Sequence, residues 1–253
     1  MTGLKAHAAS NTKAVALQRS YYERTVCLYD QRLSENGEEH EVACCFISEF
    51  SGLLGAVSLL DIGCGTGRAL GIFRTRNPEL VVHGIDPAEC MLNQARAKFG
   101  ASGLLRGDGA NLPFNDNTYD LAVETGVLHH VREPEKVVRE MMRVARKAIF
   151  ISDHNIFGQG SAISRGLKWA LYKAKLWRAV KFLQNGGRDY CFSDGDGVVY
   201  SYSAYFHYRL LERWAANVIA IPTSAAAGDL GFLSPLFGAK EVLLCALKRS
   251  PAV

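Results

Sequence analysis

No run of about 18 apolar residues occurs anywhere in this 253-residue chain, so nothing in it has the make-up of a membrane-spanning helix. The first ten residues lack an apolar core followed by a cleavage site, so no secretory signal is expected and a cytoplasmic location is. Seven cysteines (Cys27, Cys44, Cys45, Cys64, Cys90, Cys191 and Cys245) include no C-x-x-C pair. They fall mostly in apolar stretches, which argues against a zinc site or a disulfide framework and for reduced, buried thiols. A strong charge excess is missing too: a net charge of +4 falls short of the clustered basic surface of a nucleic-acid binder, and no nucleic-acid partner is expected. Acidic residues are absent from one long stretch, 154–188. There Arg165, Lys168, Lys173, Lys175, Arg178, Lys181 and Arg188 are interleaved with Trp169, Tyr172 and Trp177.

What remains is ordinary for a globular chain, with 48% hydrophobic and 21% charged residues, enough for one large domain carrying an insertion. Its organising stretch is Leu59-Leu60-Asp61-Ile62-Gly63-Cys64-Gly65-Thr66-Gly67, a buried strand that runs into three glycines spaced two apart. Glycine tolerates positive φ and leaves no Cβ in the way, so a strand, a Gly-rich turn and a helix N-terminus can present backbone N–H groups to a ligand. A dinucleotide fingerprint needs its third glycine one position later, where Arg68 stands.

Beyond this loop the apolar pattern alternates strand and helix. The first helix covers 68–76 and stops before Pro78, and a β-rich run at 80–85 ends at Asp86. Asp86-Pro87 reads as an N-cap with proline at the first helical position, opening a helix over 87–99. A short third strand (104–106), a fourth (119–124), an amphipathic helix (133–146) and a fifth strand (148–152) follow. Such alternation is the mark of a parallel sheet covered on both faces. Residues 186–197, rich in Gly and Asp, read as a loop; 198–203 as a short extended piece; 205–217 as helical; and 218–221 and 242–247 as two final strands.

Three segments carry a family resemblance. The D-x-G-C-G-T-G loop at 61–67, Gly107-Asp108-Gly109-Ala110-Asn111-Leu112-Pro113-Phe114 and Val127-Leu128-His129-His130-Val131 together resemble the S-adenosylmethionine-dependent methyltransferases of Rossmann-like fold. The resemblance is strong over about 55–152, weak over the C-terminal strands, and does not extend to 155–205. It implies an α/β fold: a seven-stranded, mostly parallel sheet with an antiparallel last strand, here with a helical cap insertion. The expected organisation is a helical lid (1–50), the cofactor-binding core (51–154), a cap over the substrate (155–205), and a C-terminal helix with the last two strands (206–253).

The resemblance also implies S-adenosylmethionine as cofactor, held by Asp61, Gly63, Gly65, Gly67, Asp86, Pro87, Met91, Asp108, Gly109 and Glu124. Asp86 would accept from the ribose hydroxyls and Asp108 would meet the adenine, with Tyr21 and Tyr22 as lid candidates. The expected reaction is methylation of a small molecule, for which the basic, aromatic cap suggests an anionic or glycan-type hydroxyl acceptor. N- or C-methylation, and a binding module without turnover, are the alternatives. His129, a few residues beyond the fourth strand, is the expected general base because imidazole titrates near neutral pH, with His130 structural. Asp153 and His154 stand in reserve. That pair could ligate a metal, but no further carboxylate clusters with it along the chain, so no metal is expected.

Overall fold

The computed structural model describes residues 2–36, 38–224 and 234–249, and of 2–12, 32–36, 38 and 234 the backbone alone. Apolar runs become strands β1 (Ser58–Ile62), β2 (Val81–Asp86), β3 (Leu104–Arg106), β4 (Tyr119–Thr125) and β5 (Ala145–His154). Two more, β8 (Ala215–Pro222) and β9 (Glu241–Lys248), complete one seven-stranded sheet in the order β3-β2-β1-β4-β5-β9-β8. The pairs β1–β2, β1–β4, β2–β3 and β4–β5 are parallel, while β9 runs antiparallel to both of its neighbours, β5 and β8. This is the expected sheet, with the last strand inserted before β8.

Both faces of the sheet are covered because successive strand residues point to opposite sides. Leu59, Leu121 and Phe150 pack beneath α2 (Glu38–Leu53), α3 (Arg68–Arg76) and α4 (Glu89–Phe99), through Ala43, Cys44, Ile47, Leu70, Phe73 and Leu92. Leu60, Ala122 and Ile149 face α5 (Pro134–Val144) and α8 (Tyr208–Trp214) through Val137, Val138, Met141 and Leu211. Helix α5 is amphipathic, with its apolar stripe buried and an Arg139–Glu135 ion pair at i,i+4 spacing on the water side.

Several expectations change at this level. The stretch expected as a helical lid (1–50) divides into two helices: in α2, Ala43, Cys44 and Ile47 are fully buried, so this helix packs into the core beside α1 (Thr2–Asn36). Helix α4 begins at Glu89 rather than at Pro87, with an extended Ala88 as its N-cap, while the Asp86 side chain accepts from the N–H of Ala88 at 2.8 Å and that of Gly65 at 2.9 Å. The stretch read as a loop contains a hairpin, β6 (Tyr190–Ser193) against β7 (Gly197–Tyr200). Of the cysteines, Cys44, Cys64 and Cys245 are buried, whereas Cys27 and Cys191 are exposed. Helices α6 (Ala162–Lys173) and α7 (Trp177–Gln184) form the helical part of 155–205. No helix among the described residues is long and apolar enough to cross a membrane.

Candidate active site

Strand β1 has β2 on one side and β4 on the other, so connections leave it in opposite directions and a crevice opens beyond the carboxyl ends of the strands. A cavity of about 430 Å³ occupies that edge. The loop after β1 reaches it through Gly63 and Gly65, the end of β2 through Asp86 and Pro87, α4 through Met91, and the loop after β3 through Asp108. Gly63, Gly65 and Gly67 all adopt positive φ (72°, 52° and 84°). At Gly63 a Cβ would lie 2.5 Å from Val127 Cγ2, so the turn tolerates no side chain there.

The remaining members of the expected cofactor set stand behind the wall. Gly67 starts α3 and packs against Phe99, Gly109 packs against Ile62 and Val137, and Glu124 is buried with Oε2 accepting from the N–H of Val127 at 3.0 Å. Asp61 is 1% exposed and neither of its carboxylate oxygens has a hydrogen-bond partner, while Arg68 Nη1 is also buried and unpartnered. Burial and then the Asp86 charge push the Asp61 carboxyl up to about 7, Arg68 pulling the other way. Burial likewise raises Asp86 to about 6, against the lowering effect of its two backbone donors.

Helix α1 closes the cavity from outside. Tyr22, Tyr29 and Gln18 line it, Asp30 accepts from Thr66 Oγ1 at 2.6 Å, and Asp30 pairs with Lys98. The same helix holds the β6–β7 hairpin: Tyr21 donates to the Gly195 carbonyl at 2.6 Å, and Gln18 Oε1 accepts from the N–H of Val198 at 2.6 Å. Tyr22 therefore faces the cavity, whereas Tyr21 is buried and braces the hairpin.

That hairpin brings an unforeseen carboxylate to the two histidines. His129 is 3% exposed, its Nδ1 lies 2.7 Å from Asp153 Oδ1, and its Nε2 is 3.4 Å from Asp196 Oδ2. Burial disfavours its charge, but Asp153 and Asp196 outweigh that and raise the imidazole to about 10, while both carboxylates are held well below their ordinary range. The expectation of a catalytic base at His129 is thus corrected: the ring is buried between two carboxylates that favour its protonated form, and it does not line the cavity. His130 does line it. Its Nδ1 donates to the Val198 carbonyl at 2.7 Å and its Nε2 is 3.3 Å from Asp196 Oδ1. His154 stacks on His129 with ring centroids 3.9 Å apart, and burial, then the His129 charge, lower it to about 4.

A second cavity of about 530 Å³ adjoins the first, sharing Val131, Arg132, Glu133 and Tyr200. The cap supplies its other side through Tyr172, Lys175, Trp177, Arg178 and Lys181. Among the described residues, no carboxylate lies within ion-pair distance of Lys175 or Arg178, and Lys181 sits over the Trp177 ring.

Residues 60–151 match the family described as "Methyltransferase domain". The chain is similar to the tRNA (carboxymethyluridine(34)-5-O)-methyltransferase of Saccharomyces cerevisiae, 34% identical over 88 residues, which are 35% of this chain and 30% of that protein. It is also similar to the phosphatidylethanolamine N-methyltransferase of Cereibacter sphaeroides, 41% identical over 95 residues, 35% of this chain and 45% of that one. The chain therefore spans less than half the length of these relatives. Among solved structures, a SAM-dependent methyltransferase from Thermotoga maritima superposes with a TM-score of 0.54 at 18% identity, over 91% of this chain and 99% of the other, a likeness of fold.

Proposed function

With a methyltransferase domain over residues 60–151 as the premise, we propose that the chain transfers a methyl group from S-adenosylmethionine to a hydroxyl of a small anionic molecule. The observation that supports the cofactor is the cavity in which Gly63, Gly65, Asp86 and Asp108 meet from three different strand ends. The fit extends below its floor. Buried, unpartnered Asp61 oxygens and Arg68 Nη1 supply an acceptor and a donor, which suits the ammonium and carboxylate of an amino-acid moiety. Asp86 would take the ribose hydroxyls, Asp108 the adenine, and Met91 an apolar face of the ligand.

When bound, the cofactor supplies an electrophilic methyl group on a sulfonium. The chain's part is to align the acceptor with it and to exclude water, which is the work of Tyr22, Tyr29 and the hairpin. Lys175 and Arg178 support an acceptor carrying phosphate or carboxylate, since cations without a carboxylate partner in a half-enclosed cavity attract an anion.

Calorimetry with S-adenosylmethionine tests the reading. Wild-type protein is expected to bind it, and Asp86→Ala to bind at least about ten-fold more weakly, the loss of a charged acceptor costing about 1.5–3 kcal/mol. Equal affinity of the two proteins would remove Asp86 from the site. Absence of binding by the folded wild type would end the proposal.

A further inference from the structure

We propose that His129, His130 and Asp196 form a binding site for one divalent transition-metal ion of zinc type, with a coordination position open to an oxygen of the substrate. Two side chains from the turn after β4 and one from the β6–β7 hairpin bring their ligand atoms within 4.8 Å of one another. His129 Nε2 lies 3.4 Å from Asp196 Oδ2 and His130 Nε2 lies 3.3 Å from Asp196 Oδ1. Around a tetrahedral ion with bonds of about 2.0–2.1 Å, ligand atoms stand about 3.3 Å apart, so each nitrogen already stands at ligand spacing from one oxygen of the carboxylate.

The surroundings point the same way. A metal-ligating histidine donates its other ring N–H to a carboxylate or a backbone carbonyl, which fixes the tautomer and aims the free nitrogen. Both histidines do this here: His129 through Nδ1 to Asp153, and His130 through Nδ1 to the Val198 carbonyl. His129 Nε2 is buried without a hydrogen-bond partner and faces Asp196 across the gap. Among the described residues no Lys or Arg pairs with Asp153 or Asp196. A rival grouping, His129 with Asp153 and His154, fails on geometry. Its 2.7 Å His129–Asp153 separation is a direct hydrogen bond, and two rings stacked at 14° direct their nitrogens side by side rather than to one point.

Because His130 also lines the cofactor cavity, three protein ligands would leave the remaining position toward the reacting groups, the arrangement of a catalytic rather than a structural zinc site. The ion would bind a hydroxyl or carboxylate oxygen of the acceptor there. It would also tie the hairpin, and through it α1, to the core.

The experiment uses the full chain, stripped with a chelator and titrated with Zn²⁺ and Co²⁺ by calorimetry and visible absorption. One Zn²⁺ per chain is expected, together with Co²⁺ ligand-field bands of a four- or five-coordinate nitrogen–oxygen site. Asp196→Asn and His130→Ala should each weaken Zn²⁺ binding by at least about 100-fold, and Asp153→Asn by about 10–100-fold. His154→Ala should leave the stoichiometry unchanged. Circular dichroism reports whether each variant is folded. If a variant does not fold, the wild-type cobalt spectrum decides alone. Binding below one equivalent in the wild type, cobalt bands of a hexa-aqua type, or full affinity in folded Asp196→Asn would overturn the proposal. A chain that binds the cofactor but takes up neither Zn²⁺ nor Co²⁺ would overturn it while leaving the methyltransferase reading intact.

Discussion

Replacing Asp61 by asparagine should make the cofactor-free protein more stable in alkaline solution and leave it nearly unchanged in acid. The side chain is 1% exposed with neither oxygen hydrogen-bonded, and its carboxyl titrates at about 7 instead of 3.8. A carboxyl whose pKa is raised by folding holds its proton in the native state while the unfolded chain has already lost it. Stability therefore falls as pH rises between 3.8 and about 7, and is level above that. A shift of about three units at 1.36 kcal/mol each corresponds to about 4 kcal/mol at pH 8, an upper figure because Arg68 and relaxation of the loop reduce it. Urea unfolding at pH 5 and pH 8 should show wild-type stability dropping by up to about 2.6 kcal/mol more than that of Asp61→Asn, in which the drop due to Asp86 remains. The same variant should bind S-adenosylmethionine more weakly, since the acceptor kept uncompensated in the free protein is the one the ligand's ammonium would satisfy. Parallel pH profiles for the two proteins, or a less stable Asp61→Asn at pH 8, would refute the argument that this carboxylate is held at a cost.

The other predictions concern the loop and the cap. Gly63→Ala should lose about 2 kcal/mol or more, from the left-handed backbone and the overlap with Val127, lowering Tm by at least about 4 °C in thermal unfolding. Arg178→Glu and Lys175→Glu should raise KM for an anionic acceptor by ten-fold or more with little change in cofactor affinity; an unchanged KM would move the acceptor out of the second cavity. Limited proteolysis should cut at Gly186-Gly187, both exposed and at positive φ, and slow when product and cofactor analogues are present; the same rate with and without them would count against a closing cap.

How much of this was legible beforehand follows the range of each interaction. The glycine loop, the strands around it and the acids at their tips could be read because each depends on neighbours in the chain: glycine where φ is positive, apolar runs where strands are buried on both faces, Asp86 where β2 ends. Local pattern also placed α3 at its observed bounds, Arg68–Arg76. It misjudged the start of α4, which opens only at Glu89 after an extended Ala88, while the Asp86 carboxylate bridges the N–H groups of Ala88 and Gly65, the second of them distant in sequence. The hairpin at 190–200 was hidden among Gly and Asp because its register is held from outside, by Gln18 and Tyr21 of α1.

From residue order alone follow the alternating strands and helices, the sheet that they build, and the loop at its edge, since backbone preference and hydrophobic periodicity are local and the connections are short. Tertiary structure alone decided that β9 lies between β5 and β8, that α2 is core while α1 covers the cavity, and that Asp196 meets His129 and His130. It also decided the electrostatics, setting the imidazole expected to be a base between two carboxylates that raise its pKa. The physical reason is that burial and electrostatic partnership depend on distance in space, and residues far apart along the chain acquire that distance only when the sheet has brought their loops to one edge.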